Sequence, residues 1–156
     1  MEQVKEAAEY LLSGRRQSAP ATQLLLVGYS YGSIVCGSAS ATIPQVVGVA
    51  SFAPPIGVRH WLFLFNGNYH LEQARRRTDL PQPLVIGDQD NFTSEESFLG
   101  VIKQMNPESA TGAVMKGADH FFRGQEKDLM DILGTHSGHL RDPLFFVRFV
   151  VREFKA

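Results

Sequence analysis

The sequence predicts an α/β fold in which a mostly parallel sheet of about four strands is flanked by helices. Two observations predict it. Short, continuous apolar segments suit strands that are buried on both faces, as in a parallel sheet. Segments with helical periodicity alternate with these strands along the chain. At 156 residues, the chain is expected to form a single domain with a sizeable core.

The first half of the chain contains two predicted helices and two predicted strands. Helix 2–12 places its apolar residues on one face and its Glu and Lys residues on the other, and helix 31–41 is rich in small residues. Each strand is a short apolar run that ends at a turn residue. The strands are 23–27, followed by Gly28, and 46–52, followed by Ala53-Pro54-Pro55.

The second half of the chain continues this alternation. Thr93 is predicted to open a helix as its N-cap, while Glu96 reaches back to complete a capping box. The predicted strands here are 84–86 and 110–115, and the predicted helices are 93–105 and 124–133.

Two segments fit the alternation less well. The aromatic segment 57–79 suits either a helix over the sheet or part of a cap above the site. The tail after Gly134 suits a loop, followed by an apolar strand or helix at 144–154.

A Gly-Tyr-Ser-Tyr-Gly motif at 28–32 stands between the first predicted strand and the helix that follows it. This is the context of a nucleophile elbow, a sharp turn that holds a serine clear of the sheet. Gly28 and Gly32 would avoid clashes in the turn, and the helix N-terminus would stabilise negative charge beside Ser30. The alternative is a glycine-rich turn with an N-capping serine and no chemistry.

A serine nucleophile needs a base, and a histidine base needs a carboxylate that fixes its tautomer and stabilises its charged form. Asp88 and Asp90 follow the third predicted strand, and His120 follows the fourth. Because aromatic residues flank His120, its loop suits the delivery of an imidazole to a partly dry site.

The other histidines predict no metal site. His60 and His70 lie in the aromatic segment and are expected at the surface or in packing. His136 and His139 are three residues apart, but no nearby Cys or Glu completes a ligand set, so both are interpreted as loop residues.

Four motifs carry a resemblance to a known family: Leu-Leu-Val-Gly-Tyr-Ser-Tyr-Gly-Ser (25–33), Ser-Phe-Ala-Pro-Pro (51–55), Val-Ile-Gly-Asp-Gln-Asp (85–90) and Gly-Ala-Asp-His-Phe-Phe-Arg-Gly (117–124). Over residues 1–133 the chain resembles the α/β-hydrolase superfamily and is most similar to a dienelactone-hydrolase-like branch. The resemblance implies a serine hydrolase that cleaves an ester, thioester or related acyl bond of a small molecule through an acyl-enzyme, without a cofactor.

The resemblance also implies a role for each candidate residue. Such hydrolases order their triad as serine, acid and histidine along the chain, with the acid three residues after a strand-ending glycine. The implied triad is therefore Ser30, Asp90 and His120, and Asp88 becomes an ordinary turn carboxylate. The backbone N–H of Tyr31, the residue after the nucleophile, is the implied oxyanion-hole donor.

The sequence departs from this family at its start. In such proteins the elbow follows the fifth strand of an eight-stranded sheet, whereas one predicted helix precedes it here. We therefore expect a truncated hydrolase domain at 1–133 that lacks the loop with the second oxyanion donor, and a tail at 134–156. Strand 23–27 would become a sheet edge with bare apolar faces, which favours self-association.

Composition and charge bear on the partners and the cellular compartment to expect. A formal net charge of −1 gives no reason to expect nucleic acid or an anionic membrane as a partner. A single cysteine, Cys36, and a charged start without a signal peptide favour the cytoplasm. Two alternatives remain: a hydrolase-like binding module without activity, and a nucleotide-binding protein. The second is weak, because no lysine of a phosphate-binding loop follows Gly32.

Overall fold

The computed structural model describes residues 2–14, 20–58, 73, 77 and 79–136. In this part of the chain, four strands and four α-helices largely alternate, and a short 3-10 turn lies at Ile56–Val58. The strands are β1 (Leu24–Tyr29), β2 (Val46–Phe52), β3 (Gln82–Gly87) and β4 (Ala110–Met115). The helices are α1 (Glu2–Leu12), α2 (Tyr31–Ser40), α3 (Glu95–Ile102) and α4 (Glu126–His136). The predicted α/β class is confirmed.

The four strands form one parallel sheet in the order β1-β2-β3-β4. This confirms the predicted parallel sheet of about four strands. Because the strands run in one direction, their carboxyl ends lie along the same edge of the sheet, where open α/β folds place their sites. Ser30, Asp90 and His120 all follow strands at this edge.

Helices α1 and α2 pack against β1 through small and branched side chains. Cys36 and Ala39 of α2 are fully buried, in one cluster with Leu24 and Leu26 of β1 and with Ala8 of α1. Because the α2 side chains are small, the helix lies close beneath the strand. The side chains of Leu24, Leu25 and Leu26 are buried, so the expectation of bare apolar faces is wrong for this part of β1.

Strand β3 is the interior strand that most clearly has both faces covered. Residues 83–87 are all buried, although successive side chains of a strand point to opposite faces. Phe98 of α3 packs against Ile86 on one face, and Phe122 packs in the cluster that contains Val85. The turn after β3 therefore starts from a rigid support.

The N-cap of α3 corrects one prediction. Ser94 caps this helix, and its Oγ accepts a hydrogen bond from the backbone N–H of Ser97 at 3.2 Å. Thr93 is buried, and its hydroxyl donates to the carbonyl of Pro54 at 2.6 Å and accepts from the N–H of Ile56 at 2.8 Å. The predicted capping box is wrong because these contacts to a distant loop use the Thr93 hydroxyl.

Several element bounds also differ from those predicted. Strand β1 continues two residues beyond 23–27, and β3 is longer than 84–86 at both ends. Helix α3 ends three residues before 105. Helix α4 continues through Gly134 to His136, which the sequence analysis places in a loop. A glycine inside a helix costs only about 1 kcal/mol relative to alanine, so it need not end one.

Some predictions lie outside the described residues. These are most of the aromatic segment 57–79, with His60 and His70, and the tail from 137 onward, with His139. The domain division at 133/134 therefore stays a prediction. Within the described ranges, no helix is long and apolar enough to cross a membrane.

Candidate active site

Ser30 occupies the turn between β1 and α2 in a strained backbone conformation. Its φ of 50° and ψ of −129° lie in a region that residues other than glycine rarely adopt. The turn is held by its neighbours: the N–H of Ser30 donates to the carbonyl of Phe52 at 2.8 Å, and the carbonyl of Ser30 accepts from the Ser33 N–H at 3.0 Å. The strand, sharp turn and helix that the motif predicts are therefore present.

The two glycines of the motif meet across this turn. A Cβ at Gly28 would lie 2.5 Å from the carbonyl oxygen of Gly32 and 2.6 Å from the backbone nitrogen of Ser33. Both atoms belong to the backbone and cannot move aside as a flexible side chain can. The first turn of α2 can therefore pack this tightly on β1 only when residue 28 lacks a side chain.

Asp90 lies in the turn after β3 and is tied down at both carboxylate oxygens. Its Oδ1 accepts hydrogen bonds from the backbone N–H groups of Phe92, at 2.7 Å, and of Thr93, at 3.2 Å. Its Oδ2 lies 2.8 Å from Nδ1 of His120. The side chain is completely buried, so these contacts replace the hydration of the carboxylate.

His120 connects the carboxylate to the serine. Its Nδ1 faces Asp90, and its Nε2 lies 3.0 Å from Oγ of Ser30. The imidazole is only 3% exposed. One unbroken hydrogen-bonded chain therefore runs from Ser30 through His120 to Asp90, and the structure brings together the three residues that the sequence proposed for the triad.

Asp88 has a different environment from Asp90. Its Oδ1 accepts from the N–H of Gly117 at 2.7 Å, and its Oδ2 lies 3.7 Å from the Lys116 ammonium. These are contacts of a carboxylate that joins two turns at the surface. Of the two aspartates, Asp90 is the one that contacts His120.

The turns after β3 and β4 are joined directly at the backbone. The Ala118 carbonyl accepts from the N–H of Gln89 at 3.0 Å. It also lies so close to Gly87 that a Cβ at position 87 would collide with it. The loop of Asp90 and the loop of His120 therefore hold a fixed spacing, which two hydrogen-bonded side chains need.

Three aromatic rings surround the imidazole, and two of them were not foreseen from the sequence. The ring centroids of Phe92, Tyr29 and Phe121 lie 4.4, 5.4 and 5.5 Å from that of His120. The Tyr29 hydroxyl also donates to the His120 carbonyl at 3.0 Å. Phe121 adjoins His120 in the sequence, but Phe92 and Tyr29 lie far from it along the chain, so no local pattern places them there.

Two other ionisable groups near α2 are protonated at neutral pH. Burial raises the pKa of the Tyr31 phenol and raises the pKa of the Cys36 thiol to about 11. The Cys36 thiol is therefore not a thiolate nucleophile at neutral pH, and the backbone N–H of Tyr31 lies at the first position of α2. In the described part of the chain, no three His, Cys, Asp or Glu residues are grouped to hold a metal ion.

Neither a protein-family model nor a curated protein sequence matches this chain. Solved structures do. An α/β serine hydrolase homologue from Coxiella burnetii matches 85% of this chain at a TM-score of 0.64 and 23% identity. A lidless α/β serine hydrolase, XC6422 from Xanthomonas campestris, matches 88% at a TM-score of 0.62 and 21% identity. The esterase domain of a Rhodothermus marinus protein matches 87% at a TM-score of 0.69 and 18% identity.

These matches cover most of this chain but less of the other proteins. The chain spans 55% of the Coxiella and Xanthomonas structures and 67% of the Rhodothermus domain. At these identities the likeness concerns the fold, and it agrees with the strand order, the elbow and the strand-end loops described above. The chain therefore has part of the α/β-hydrolase fold, as its four motifs predict.

Proposed function

We propose that this chain is a serine hydrolase that cleaves an ester, thioester or related acyl bond of a small molecule through an acyl-enzyme. The observation that carries the proposal is the hydrogen-bonded chain from Ser30 Oγ to His120 Nε2, at 3.0 Å, and from His120 Nδ1 to Asp90 Oδ2, at 2.8 Å. The strained turn at Ser30 supports it, because such strain persists where function requires a particular geometry.

In the first step, Oγ of Ser30 attacks the acyl carbon while Nε2 of His120 takes the hydroxyl proton. Asp90 accepts from Nδ1–H, so the imidazole presents its unprotonated Nε2 to the serine and its positive charge is stabilised afterwards. Two backbone N–H groups on Oδ1 keep the carboxylate oriented toward His120.

The acyl oxygen gains negative charge in this step. The N–H of Tyr31, at the start of α2, is proposed to donate to it, and the positive end of the helix dipole adds to the effect. His120 then returns the proton to the leaving atom as its bond to the acyl carbon breaks. Water attacks the acyl-enzyme in the same way and frees the acid and Ser30.

A fluorophosphonate probe tests the nucleophile. Ser30 is expected to displace fluoride and retain the phosphonyl group, and mass spectrometry of the digested protein locates the adduct. Ser30→Ala should abolish labelling, whereas Ser97→Ala, which removes a serine hydroxyl from the exposed face of α3, should leave it unchanged. His120→Ala should slow both labelling and turnover of a short activated ester at least a hundredfold. Near-normal turnover by His120→Ala would overturn the assignment of the base.

The second candidate function that the sequence analysis leaves open is a hydrolase-like binding module that turns nothing over. The same probe separates the two candidates. Folded protein that takes no label at Ser30 supports the module.

A further inference from the structure

Two phenylalanines beside His120 are about half exposed. Phe92 is 44% exposed and Phe121 is 48% exposed, and we call this pair the aromatic rim. Phenylalanines that serve packing are covered here: Phe98 is fully buried and Phe122, next to Phe121, is 2% exposed. Single exposed apolar residues are common, but both rings of the rim border one buried imidazole.

Both rings of the rim stand on turns that are fixed by hydrogen bonds from backbone N–H groups to aspartate side chains. Each phenylalanine lies two residues after an aspartate and donates a hydrogen bond from its backbone N–H to that aspartate. Phe92 donates to Oδ1 of Asp90 at 2.7 Å, and Phe121 donates to Oδ1 of Asp119 at 2.9 Å. The Arg123 guanidinium also lies over the Phe121 ring, 4.8 Å from its centroid. The exposed apolar surface therefore lies on two turns that hydrogen bonds hold, so covering it with a ligand costs the backbone of these turns little conformational freedom.

The aromatic rim lies beside His120, where the leaving group of an acyl substrate would extend. In the hydrolysis proposed above, Nε2 of His120 hands a proton to the leaving atom, which must come within hydrogen-bond distance of it. The leaving group consequently extends from a point beside the imidazole. The acyl group is held instead at Ser30 and at the N-terminus of α2, on the far side of the breaking bond.

We propose that Phe92 and Phe121 contact the leaving group and select apolar ones, so that the substrates are acyl esters or thioesters of aryl or long-chain alkyl alcohols and thiols. This inference rests on the proposed hydrolase function and adds specificity to it. Covering a half-exposed ring with an apolar chain removes apolar area from both partners, which stabilises the transition state that releases that chain.

A pair of phosphonylating probes tests the rim apart from the chemistry. Both carry the same phosphonyl group; one loses fluoride and the other loses 4-nitrophenolate. In each reaction the Ser30 Oγ–phosphorus bond forms, the bond from phosphorus to the leaving group breaks, and the serine proton passes to His120. The measured quantity is the labelling rate with the aryl probe divided by the rate with the fluoride probe.

Phe92→Ala and Phe121→Ala are each expected to lower this ratio about tenfold, the usual effect of losing an apolar contact of this size. Phe121→Leu should retain most of it. Leu99→Ala, which removes an exposed apolar side chain from α3, is the matched control and should leave the ratio unchanged. A ratio within twofold of wild type in both folded alanine variants overturns the inference and leaves the hydrolase proposal standing.

Alkyl esters of one short acid give a second readout with the unaltered chain. The specificity constant kcat/KM should rise about fourfold for each methylene added to the alcohol, because alkyl alcohols from ethanol upward differ little in acidity and a buried methylene contributes about 0.8 kcal/mol. A flat series in an active protein overturns the inference. Absence of labelling by both probes overturns the hydrolase function itself, and the inference with it.

Discussion

The Tyr29 hydroxyl donates a hydrogen bond to the backbone carbonyl of His120 at 3.0 Å, which ties the residue before the candidate nucleophile to the loop that carries the candidate base. The two residues are 91 positions apart, and their rings lie 5.4 Å apart between centroids. Strand β1 therefore helps to place the imidazole as well as the serine.

Tyr29→Phe removes this hydroxyl and keeps the ring. A neutral hydrogen bond contributes about 1 kcal/mol, so we expect kcat for an activated ester to fall about fivefold while KM stays unchanged, because substrate contacts are intact. Steady-state kinetics checks this, with Tyr10→Phe on the exposed face of α1 as the control. A change in thermal stability without any change in kcat would show that the bond supports the fold alone.

Gly28→Ala should disrupt the elbow. The added Cβ would stand 2.5 Å from the Gly32 carbonyl, and strain of this kind costs about 1–3 kcal/mol. We expect a lower melting temperature together with loss of probe labelling at Ser30. Gly100→Ala in α3 is the matched control: nothing lies within 4 Å of its added Cβ, so it should stabilise the helix by about 0.5–1 kcal/mol. Labelling of the Gly28→Ala variant at the wild-type rate would contradict the close approach seen here.

Asp90→Asn and Asp88→Asn form a pair that separates the two carboxylates after β3. An amide at position 90 no longer favours the tautomer with Nδ1–H, so turnover should fall about a thousand- to ten thousandfold. Asp88→Asn removes a surface ion pair and should change turnover less than twofold. Similar losses in both variants would show that the effect arises from the shared turn rather than from the contact with His120.

The free energy of unfolding should fall at alkaline pH because of Cys36. Burial raises the pKa of this thiol from 9.0 to about 11, so between these values the unfolded chain releases a proton that the folded chain retains. The stabilisation is therefore complete below pH 9 and is lost as pH rises toward 11, by about 2–3 kcal/mol. Denaturant unfolding from pH 8 to 11 measures this decline. In Cys36→Ala, the part of the decline in unfolding free energy with pH that arises from Cys36 should vanish. The same decline in this variant as in the wild type would refute the role of Cys36.

Self-association through β1 remains a prediction of the sequence. Among the described strands, β1 lies at one end of the sheet, and although its leucine side chains are buried, no other described strand pairs with its outer edge. We expect the mass measured by light scattering to rise with protein concentration. A constant monomer mass across the accessible range would show that this edge is protected.

The sequence predicts some elements better than others for physical reasons. Strand β2 has the predicted bounds because it is an apolar run whose burial decides its extent. Strand β4 has the predicted bounds too, although Thr111 and Gly112 in it are exposed. Thr93 was misassigned because a capping pattern is local, whereas its hydroxyl bonds to Pro54, 39 residues away.

The residues of the candidate site also differ in how well the sequence predicts them. The triad candidates could be proposed from motifs, since each follows a strand at one sheet edge. Phe92 and Tyr29 could not, because their contacts with His120 depend on how separate loops pack against each other.

Among the described strands, the spatial order repeats the order along the chain, and this has a consequence for biosynthesis. As the polypeptide leaves the ribosome, each new strand of this sheet can join the outer side of the one before it, and none must insert between two that have already paired. In the mechanism proposed above, Ser30 emerges early and His120 late, so the nascent polypeptide is expected to stay inert toward acyl compounds until β4 and the loop beyond it have docked.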